Sequence, residues 1–221
     1  DLGFIGLKEM ADSISRTVTT IERMEKWNGH LYNWYDTRTL EPLRPLYVST
    51  VDSGNFVCYL ITLAEGLKKY EHAPLVDAVF AMGIEATLRN GTGEGEPLSD
   101  GLDLFAFMKP GEPVDLVLWD SALSELIRSC TAESIRNPVW KVKTERMARA
   151  FKEELDSFAP WVAMAGAMPQ VLLCEELKEE TNRLLGLLRE NPGFSDLIEH
   201  RKRILQQIDA IYAGMDPIRY T

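Results

Sequence analysis

The sequence predicts an all-α protein assembled from antiparallel helical hairpins. Two observations support this class. Apolar residues recur at steps of three and four along most of the 221 residues, which places them on one face of a helix. Strand-type alternation of apolar and polar residues never persists beyond a few positions. We therefore expect about seven helices, in successive pairs that fit an α/α toroid.

The first two helices lie on either side of an irregular segment. The first is expected over roughly residues 5–27 and ends where Asn28–Gly29 supplies a breaker. The second runs to about Lys69, and Ser53 or Asp52 is its expected N-cap. Their inward stripes are Met10, Ile14, Val18 and Ile21 in the first, and Phe56, Leu60, Leu63 and Leu67 in the second.

A third helix is expected to follow Pro74 and to end at "RNGTG". Its predicted inward residues are Leu75, Val79 and Met82. Residues 90–115 then form an acidic segment rich in Gly and Pro, which indicates a solvent-exposed connector. Within this connector, the short apolar run "DLFAFM" is expected to anchor the chain to the core.

The remaining helices follow this connector. Ser195 in "NPGFSDLIEH" is the expected N-cap of the last one. The chain as a whole, residues 1–221, is expected to form a single helical domain. The predicted helices are Leu116–Cys130, Val142–Phe158, Leu172–Glu190 and Ser195–Tyr212.

Composition excludes several classes of partner. The formal net charge of −10 argues against nucleic acid or an anionic membrane, because both bind through clustered Lys and Arg. The three histidines lie far apart, so neither a metal nor a cofactor is expected. Cys58, Cys130 and Cys174 lie in apolar helical contexts, which predicts buried free thiols in a reducing compartment. The longest uncharged run, Ala159–Cys174, is shorter than a bilayer-spanning helix and contains prolines, so no direct membrane insertion is expected.

Residues 28–54, here called the signature loop, interrupt the helical pattern. Connectors longer than about 12–15 residues inside a compact domain are usually functional or disordered. This one contains Trp34 and three tyrosines, which is more apolar surface than a disordered segment carries. Pro42 and Pro45 also stiffen its backbone. We therefore expect an ordered loop that packs across the end of the helices.

The side chains of the signature loop suit a neutral, polyhydroxylated ligand. Aromatic faces can lie against the C–H groups of a sugar ring, while short polar side chains hydrogen-bond its hydroxyls. A purely structural interpretation remains open beside this one. Asp36 fits an Asx turn, and Asp52 and Ser53 fit a helix cap. Trp34 and Tyr35 fit a buried core.

No catalytic residue is predicted. Glycoside cleavage by carboxylates requires two of them, about 5–5.5 Å apart for retention or about 6.5–9.5 Å apart for inversion. Asp36, Glu41 and Asp52 are the acidic residues of the stretch 31–55, and no spacing rule brings two of them together. A small hydrolase that uses Asp36 and Asp52 is therefore the weakest of the alternatives.

Two long motifs carry a resemblance to a known family. The stretch "GHLYNWYDTRTLEPLRPLYVSTVDSGN", preceded by "DLGFIGLKEMADSISRTVTTIERMEKW", resembles a segment of bacterial cyclic β-1,2-glucan synthases. It is similar to the part between the membrane-linked glucosyltransferase domain and the phosphorylase-like domain. The resemblance covers about residues 1–70 closely, and it extends over residues 71–221 by helix order alone.

This resemblance implies a glucoamylase-like α/α toroid of the six-hairpin glycosidase type. In that family the region is implicated in the transglycosylation that closes linear β-1,2-glucan into rings. The signature loop would then line or brace the carbohydrate groove. The implied substrate-binding residues are Asn33, Trp34, Tyr35, Asp36, Tyr47, Ser49, Thr50, Asp52, Ser53 and Asn55.

The resemblance also implies that the catalytic carboxylates lie outside this chain. The start at Asp1 and the end at Thr221 suggest an excerpt from a longer protein, inactive alone. The expected partners are β-1,2-glucan and other domains of the same polypeptide, at the cytoplasmic face of an inner membrane. Self-association of a truncated chain is also expected. The alternative is a non-catalytic helical module that docks one domain of a large synthase against another.

Overall fold

A computed structural model describes residues 2–91, 103–131, 137–169, 172 and 174–218. Within these ranges the chain forms eight α-helices and a single two-stranded hairpin, which confirms the all-α class. The toroidal arrangement of the hairpins stays a prediction. The helices are α1 Leu7–Arg23, α2 Thr50–His72, α3 Ala78–Gly91, α4 Leu116–Thr131, α5 Pro138–Phe158, α6 Val162–Gly166, α7 Lys178–Arg189 and α8 Leu197–Ile218. The strands are β1 Lys26–Trp27 and β2 His30–Leu31, and 3-10 turns cover Asp103–Phe105, Glu175–Leu177 and Phe194–Asp196.

The chain divides into two compact units. The hairpin unit is Lys8–Glu71, and the core unit combines Asp1–Leu7 with His72–Thr221. All the buried residues that the structure describes belong to the core unit. The hairpin unit contains α1, α2 and the signature loop, and none of its residues is buried.

An aromatic cluster lies at the centre of the core unit. The rings of Phe105 and Trp119 lie 5.3 Å apart between centroids, and those of Trp119 and Phe151 lie 5.8 Å apart. Phe80 completes the cluster at 5.0 Å from Phe151. Phe105 and Met108 are both buried, so the run "DLFAFM" anchors its segment as expected. The adjoining residues 92–102 of the predicted connector lie outside the described residues.

The first helix is shorter than predicted because a side chain terminates it. Lys26 Nζ donates hydrogen bonds to the carbonyl oxygens of Ile21 at 2.6 Å, Glu22 at 3.1 Å and Met24 at 2.9 Å. These carbonyls are among those that a helix C-terminus leaves without partners. Asn28–Gly29, predicted as the breaker, instead forms the turn of the hairpin, with positive φ at both positions.

Other boundaries also move. Helix α2 begins at Thr50, because Ser49 Oγ accepts a hydrogen bond from the Asp52 N–H at 3.1 Å. The predicted caps, Ser53 and Asp52, therefore lie in its first turn. Helix α5 begins at Pro138, capped by Asn137, whose side chain accepts from the Val139 N–H. The short helix α6 was not predicted.

Two predictions about side chains of the core unit are wrong. Met82 was expected to point inward on α3 but is 57% exposed, because Ala81 and Ile84 supply the buried face. Ser195 was expected to cap the last helix. It lies instead within a 3-10 turn, and its Oγ is 3.2 Å from His72 Nδ1.

The first residues of the chain pack tightly within the core unit. The Leu7 N–H donates to Glu154 Oε1 on α5 at 2.9 Å. A Cβ atom at Gly83 of α3 would lie 2.1 Å from the carbonyl oxygen of Gly3, so the two backbones touch. Gly3 itself adopts φ +70°, a conformation that glycine favours.

A second backbone pairing joins the segment before α3 to the turn before α8. Asn191 exchanges two hydrogen bonds with Val76: its Oδ1 accepts from the N–H at 3.1 Å, and its Nδ2 donates to the carbonyl at 2.6 Å. The Leu75 N–H donates to Pro192 at 3.1 Å, and the Phe194 N–H donates to Ala73 at 3.3 Å. One side chain thus fixes the register of two distant segments.

Candidate functional site

The backbone of the signature loop folds back on itself through hydrogen bonds. The Leu43 N–H donates to the Trp34 carbonyl, and the Asn33 N–H donates to the Tyr47 carbonyl, both at 2.9 Å. The Asp36 N–H donates to the Glu41 carbonyl at 2.9 Å. Residues 33–36 therefore run antiparallel to residues 41–47, and this pairing positions the side chains of both segments.

Asp36 is occupied by its own turn. Its Oδ1 accepts from the N–H groups of Arg38 at 2.8 Å and Thr39 at 3.1 Å, which is an Asx turn. The backbone hydrogen bond from Arg38, followed by that from Thr39, lowers the pKa of Asp36 below its usual value. A general acid of a glycosidase needs a raised pKa. The geometry therefore disfavours a hydrolase in which Asp36 donates the proton.

Asn33, Ser49 and Asp52 form a short relay that joins the loop to α2. The Asn33 side-chain oxygen accepts from the Ser49 N–H at 3.2 Å. Ser49 Oγ in turn accepts from the Asp52 N–H at 3.1 Å, at the first turn of α2. These hydrogen bonds hold the loop against the start of the helix, with Ser49 as the capping residue in place of the predicted Asp52 or Ser53.

Tyr35 also has a structural partner. Its hydroxyl donates to the Glu25 carbonyl at 2.7 Å and accepts from the Tyr32 N–H at 2.8 Å. Both bonds tie the loop to the chain around the β1–β2 hairpin. Three further predicted residues, Thr50, Ser53 and Asn55, lie on the first turns of α2, where Thr50 and Asn55 are exposed.

The predicted residues that face solvent with large side chains are Trp34 and Tyr47. Each is 53% exposed. Their rings lie nearly parallel, with an interplanar angle of 28° and centroids 6.2 Å apart. Leu43 and Leu46 are also exposed. Trp34 and Tyr47, here called the aromatic pair, come together because the Asn33–Tyr47 and Trp34–Leu43 hydrogen bonds align the two loop segments that carry them.

The separation of Trp34 and Tyr47 in the sequence does not predict that their rings stack. The two residues meet only because the loop between them folds back on itself. The sequence did identify both residues as candidates. What it missed is the division of roles within the loop. The polar residues mostly bond the backbone, while the aromatic pair keeps open surface.

No group of three or more His, Cys, Asp or Glu side chains that could hold a metal occurs among the residues that the structure describes. The three cysteines are free thiols, as expected. Burial raises the pKa of the Cys130 thiol. Cys58 is exposed instead of buried, which corrects the prediction, and no residue of α2 is buried. None of the described helices has the length and apolar character to cross a membrane.

Comparison with known proteins gives one informative similarity. No family model matches this chain. Over 72 residues, which is 33% of the chain, it is 47% identical to the cyclic beta-(1,2)-glucan synthase NdvB of Rhizobium meliloti (strain 1021). The similar segment spans 2% of that relative's length. The similarity confirms the resemblance to cyclic β-1,2-glucan synthases over a third of the chain.

Proposed function

We propose that this chain is a helical portion of a carbohydrate-active glucan synthase and that its signature loop faces the glucan. The observation that supports this most directly is the aromatic pair, an exposed stack held by backbone hydrogen bonds in a chain similar to a glucan synthase. The breaking and forming of glycosidic bonds takes place on carboxylates outside this chain. On its own, the chain binds glucan without transforming it.

The physical basis is the amphipathic nature of a pyranose ring. Each ring face presents C–H groups that pack on an aromatic plane, while its rim presents hydroxyls. Trp34 and Tyr47 offer adjoining aromatic faces of suitable size, because an aromatic side chain covers about 150–250 Å² when it is fully buried. Thr50 and Asn55 are exposed at the start of α2 and are the polar candidates for hydroxyl contacts.

The finer assignments follow from the same proposal. The relevant chemistry is the transglycosylation that forms cyclic β-1,2-glucan, in a glucoamylase-like α/α toroid. The chain would work at the cytoplasmic face of an inner membrane, joined to other domains of one polypeptide. The signature loop would line the groove through the aromatic pair, and the Asn33–Ser49–Asp52 relay would brace it.

A second candidate function is supported by a different observation. The hairpin unit has no buried residue, and its helix α2 exposes apolar side chains on several sides, among them Val51, Tyr59 and Ile61. Large exposed apolar surfaces mark protein interfaces. The hairpin unit would then dock another domain of a large synthase, and the aromatic pair would be covered by protein.

The two functions are separated by a binding titration. β-1,2-Gluco-oligosaccharides are added to the wild-type chain while tryptophan fluorescence is recorded. The glucan proposal predicts a saturable change that is lost in Trp34→Ala. The matched control is Trp27→Ala, since Trp27 is 55% exposed in the neighbouring β1–β2 hairpin and does not belong to the aromatic pair. A folded wild type that gives no response supports the docking function instead.

A further inference from the structure

A groove between α7 and α8 of the core unit has the size of a small-molecule site. Its volume is about 440 Å³, within the range of about 300–1,000 Å³ usual for ligand pockets. Five of its seven lining residues are polar, and two of these are arginines. The polar lining residues are Arg183, Glu190, Arg203, Gln206 and Gln207.

The Glu190 carboxylate in the groove is held in place by Arg203. Arg203 donates two hydrogen bonds to the Glu190 carboxylate, from Nη1 at 2.9 Å and from Nη2 at 3.2 Å. Glu190 also lies 3.4 Å from Nδ1 of His200, which is buried beside it. Burial lowers the pKa of His200, so its ring is neutral near pH 7. The charge of Glu190 is therefore balanced by Arg203 and leaves the groove with no excess negative charge.

Arg183 also lines the groove, and its positive charge has only a weakly held partner. Arg183 approaches Glu179 at 3.6 Å, and these two side chains are 66% and 83% exposed. Such exposed pairs contribute little, about 0–1 kcal/mol, so the Arg183 guanidinium is available to a ligand. Gln207 is oriented by donating from Nε2 to the Glu180 carbonyl at 3.0 Å.

We propose that this groove binds a small oxyanion, either a carboxylate or a phosphate monoester, with Arg183 as the main charged contact. A guanidinium presents parallel N–H donors that match two oxygens of such a group. The carboxamides of Gln206 and Gln207 line the same groove and can hydrogen-bond the remaining oxygens. This site is independent of the signature loop and of the glucan proposal.

The test uses the ¹⁵N-labelled full chain, titrated separately with inorganic phosphate and with acetate at constant ionic strength. We expect saturable shifts of the backbone amides of Gly186, Gln206 and Gln207. Arg183→Gln keeps hydrogen-bonding capacity but removes the charge, and it should weaken the affinity about tenfold, as expected for a charged hydrogen bond. Arg146→Gln, a change of the same type at an exposed position of α5, should leave the affinity unchanged.

The choice of probe also identifies the source of the oxyanion. Saturation by phosphate alone assigns the groove to phosphate monoesters, and saturation by acetate alone assigns it to carboxylates. Glucose is titrated as a neutral polyol. The proposal is overturned if neither anion saturates, if Arg183→Gln binds as tightly as wild type, or if both arginine variants lose affinity equally. Shifts produced by glucose and by neither anion would also overturn it.

Discussion

The close approach of Gly83 and Gly3 makes Gly83→Ala a sharp test of the packing of the core unit. A Cβ atom at residue 83 would lie 2.1 Å from the Gly3 carbonyl oxygen and 2.4 Å from its carbonyl carbon. Both are backbone atoms, so rotation of a side chain cannot relieve the clash. The residues around Gly3 must therefore shift away from α3, together with the Leu7–Glu154 hydrogen bond.

The expected cost follows from what that shift breaks. A hydrogen bond to a charged carboxylate contributes about 1.5–3 kcal/mol. The apolar burial that is lost in addition is limited, because Phe4 is already 48% exposed and Ile5 45% exposed. The substitution regains about 1 kcal/mol, since alanine is a better helix former than glycine. We therefore expect Gly83→Ala to lower the free energy of unfolding by about 0.5–2 kcal/mol, or the Tm by about 1–8 °C.

The matched control is Gly186→Ala on α7, also in the core unit. A Cβ atom there meets nothing within 4 Å, so this variant should gain up to about 1 kcal/mol. Urea denaturation followed by far-UV circular dichroism gives both values. A double-mutant cycle with Glu154→Gln identifies the cause, because the two effects should not add if both act through the same contact. Gly83→Ala as stable as Gly186→Ala would refute the tight contact.

Three further predictions concern single side chains. Asn191→Ala removes both hydrogen bonds to Val76 and should lower the free energy of unfolding by about 1–3 kcal/mol in urea, and a loss below 0.5 kcal/mol would contradict its role in fixing the register. His200 has a lowered pKa in the folded state because it is buried, so the unfolded chain binds more protons just below pH 6.5. Stability should therefore fall as the pH drops from about 6.5 towards the folded-state pKa, and His200→Gln should show a smaller fall over that window in pH-dependent melts. An aromatic disulfide reagent should label Cys58 rapidly and Cys130 only on unfolding, with Cys58→Ser abolishing the fast phase.

The helices could be predicted because the apolar periodicity that indicates them lies within each helix's own sequence. Periodicity identified the existence and order of the long helices, and composition identified the run "DLFAFM" as an anchor, in which Phe105 and Met108 are buried. The errors arise where an interaction that the local sequence pattern does not reveal determines the end of a helix or the exposure of a side chain. Lys26 ends α1 by donating hydrogen bonds to three backbone carbonyls. Helix propensities do not predict such a side-chain contact. Met82 is exposed because the buried face of α3 is formed by smaller residues.

The candidate sites were predictable to different degrees. Composition and resemblance identified the signature loop, because its aromatic and polar content is unusual over a short stretch. Whether Asp36 bonds a ligand or its own backbone depends on the loop's folded path, so the sequence left both interpretations open. The groove between α7 and α8 was not predicted from the sequence. Arg183 and Arg203 belong to different helices, and only the packing of those helices brings them to the same groove.

The division of roles within the signature loop limits the kind of glucan binding that the proposed function would involve. Asn33, Asp36 and Ser49 accept backbone hydrogen bonds, so their oxygens have less capacity left for sugar hydroxyls. Binding would then depend mainly on the aromatic pair, whose stacking has little ability to distinguish one hydroxyl configuration from another.

That dependence has a measurable magnitude. Covering about 50 Å² of apolar surface on the aromatic pair contributes about 1.3 kcal/mol, or about tenfold in affinity. Trp34→Ala should therefore weaken glucan binding by about this factor, whereas Asn33→Ala should act through stability, because it releases the Ser49 N–H. If Asn33→Ala abolishes binding in a chain with unchanged Tm, the polar residues contact the sugar directly and the aromatic pair is not the main surface.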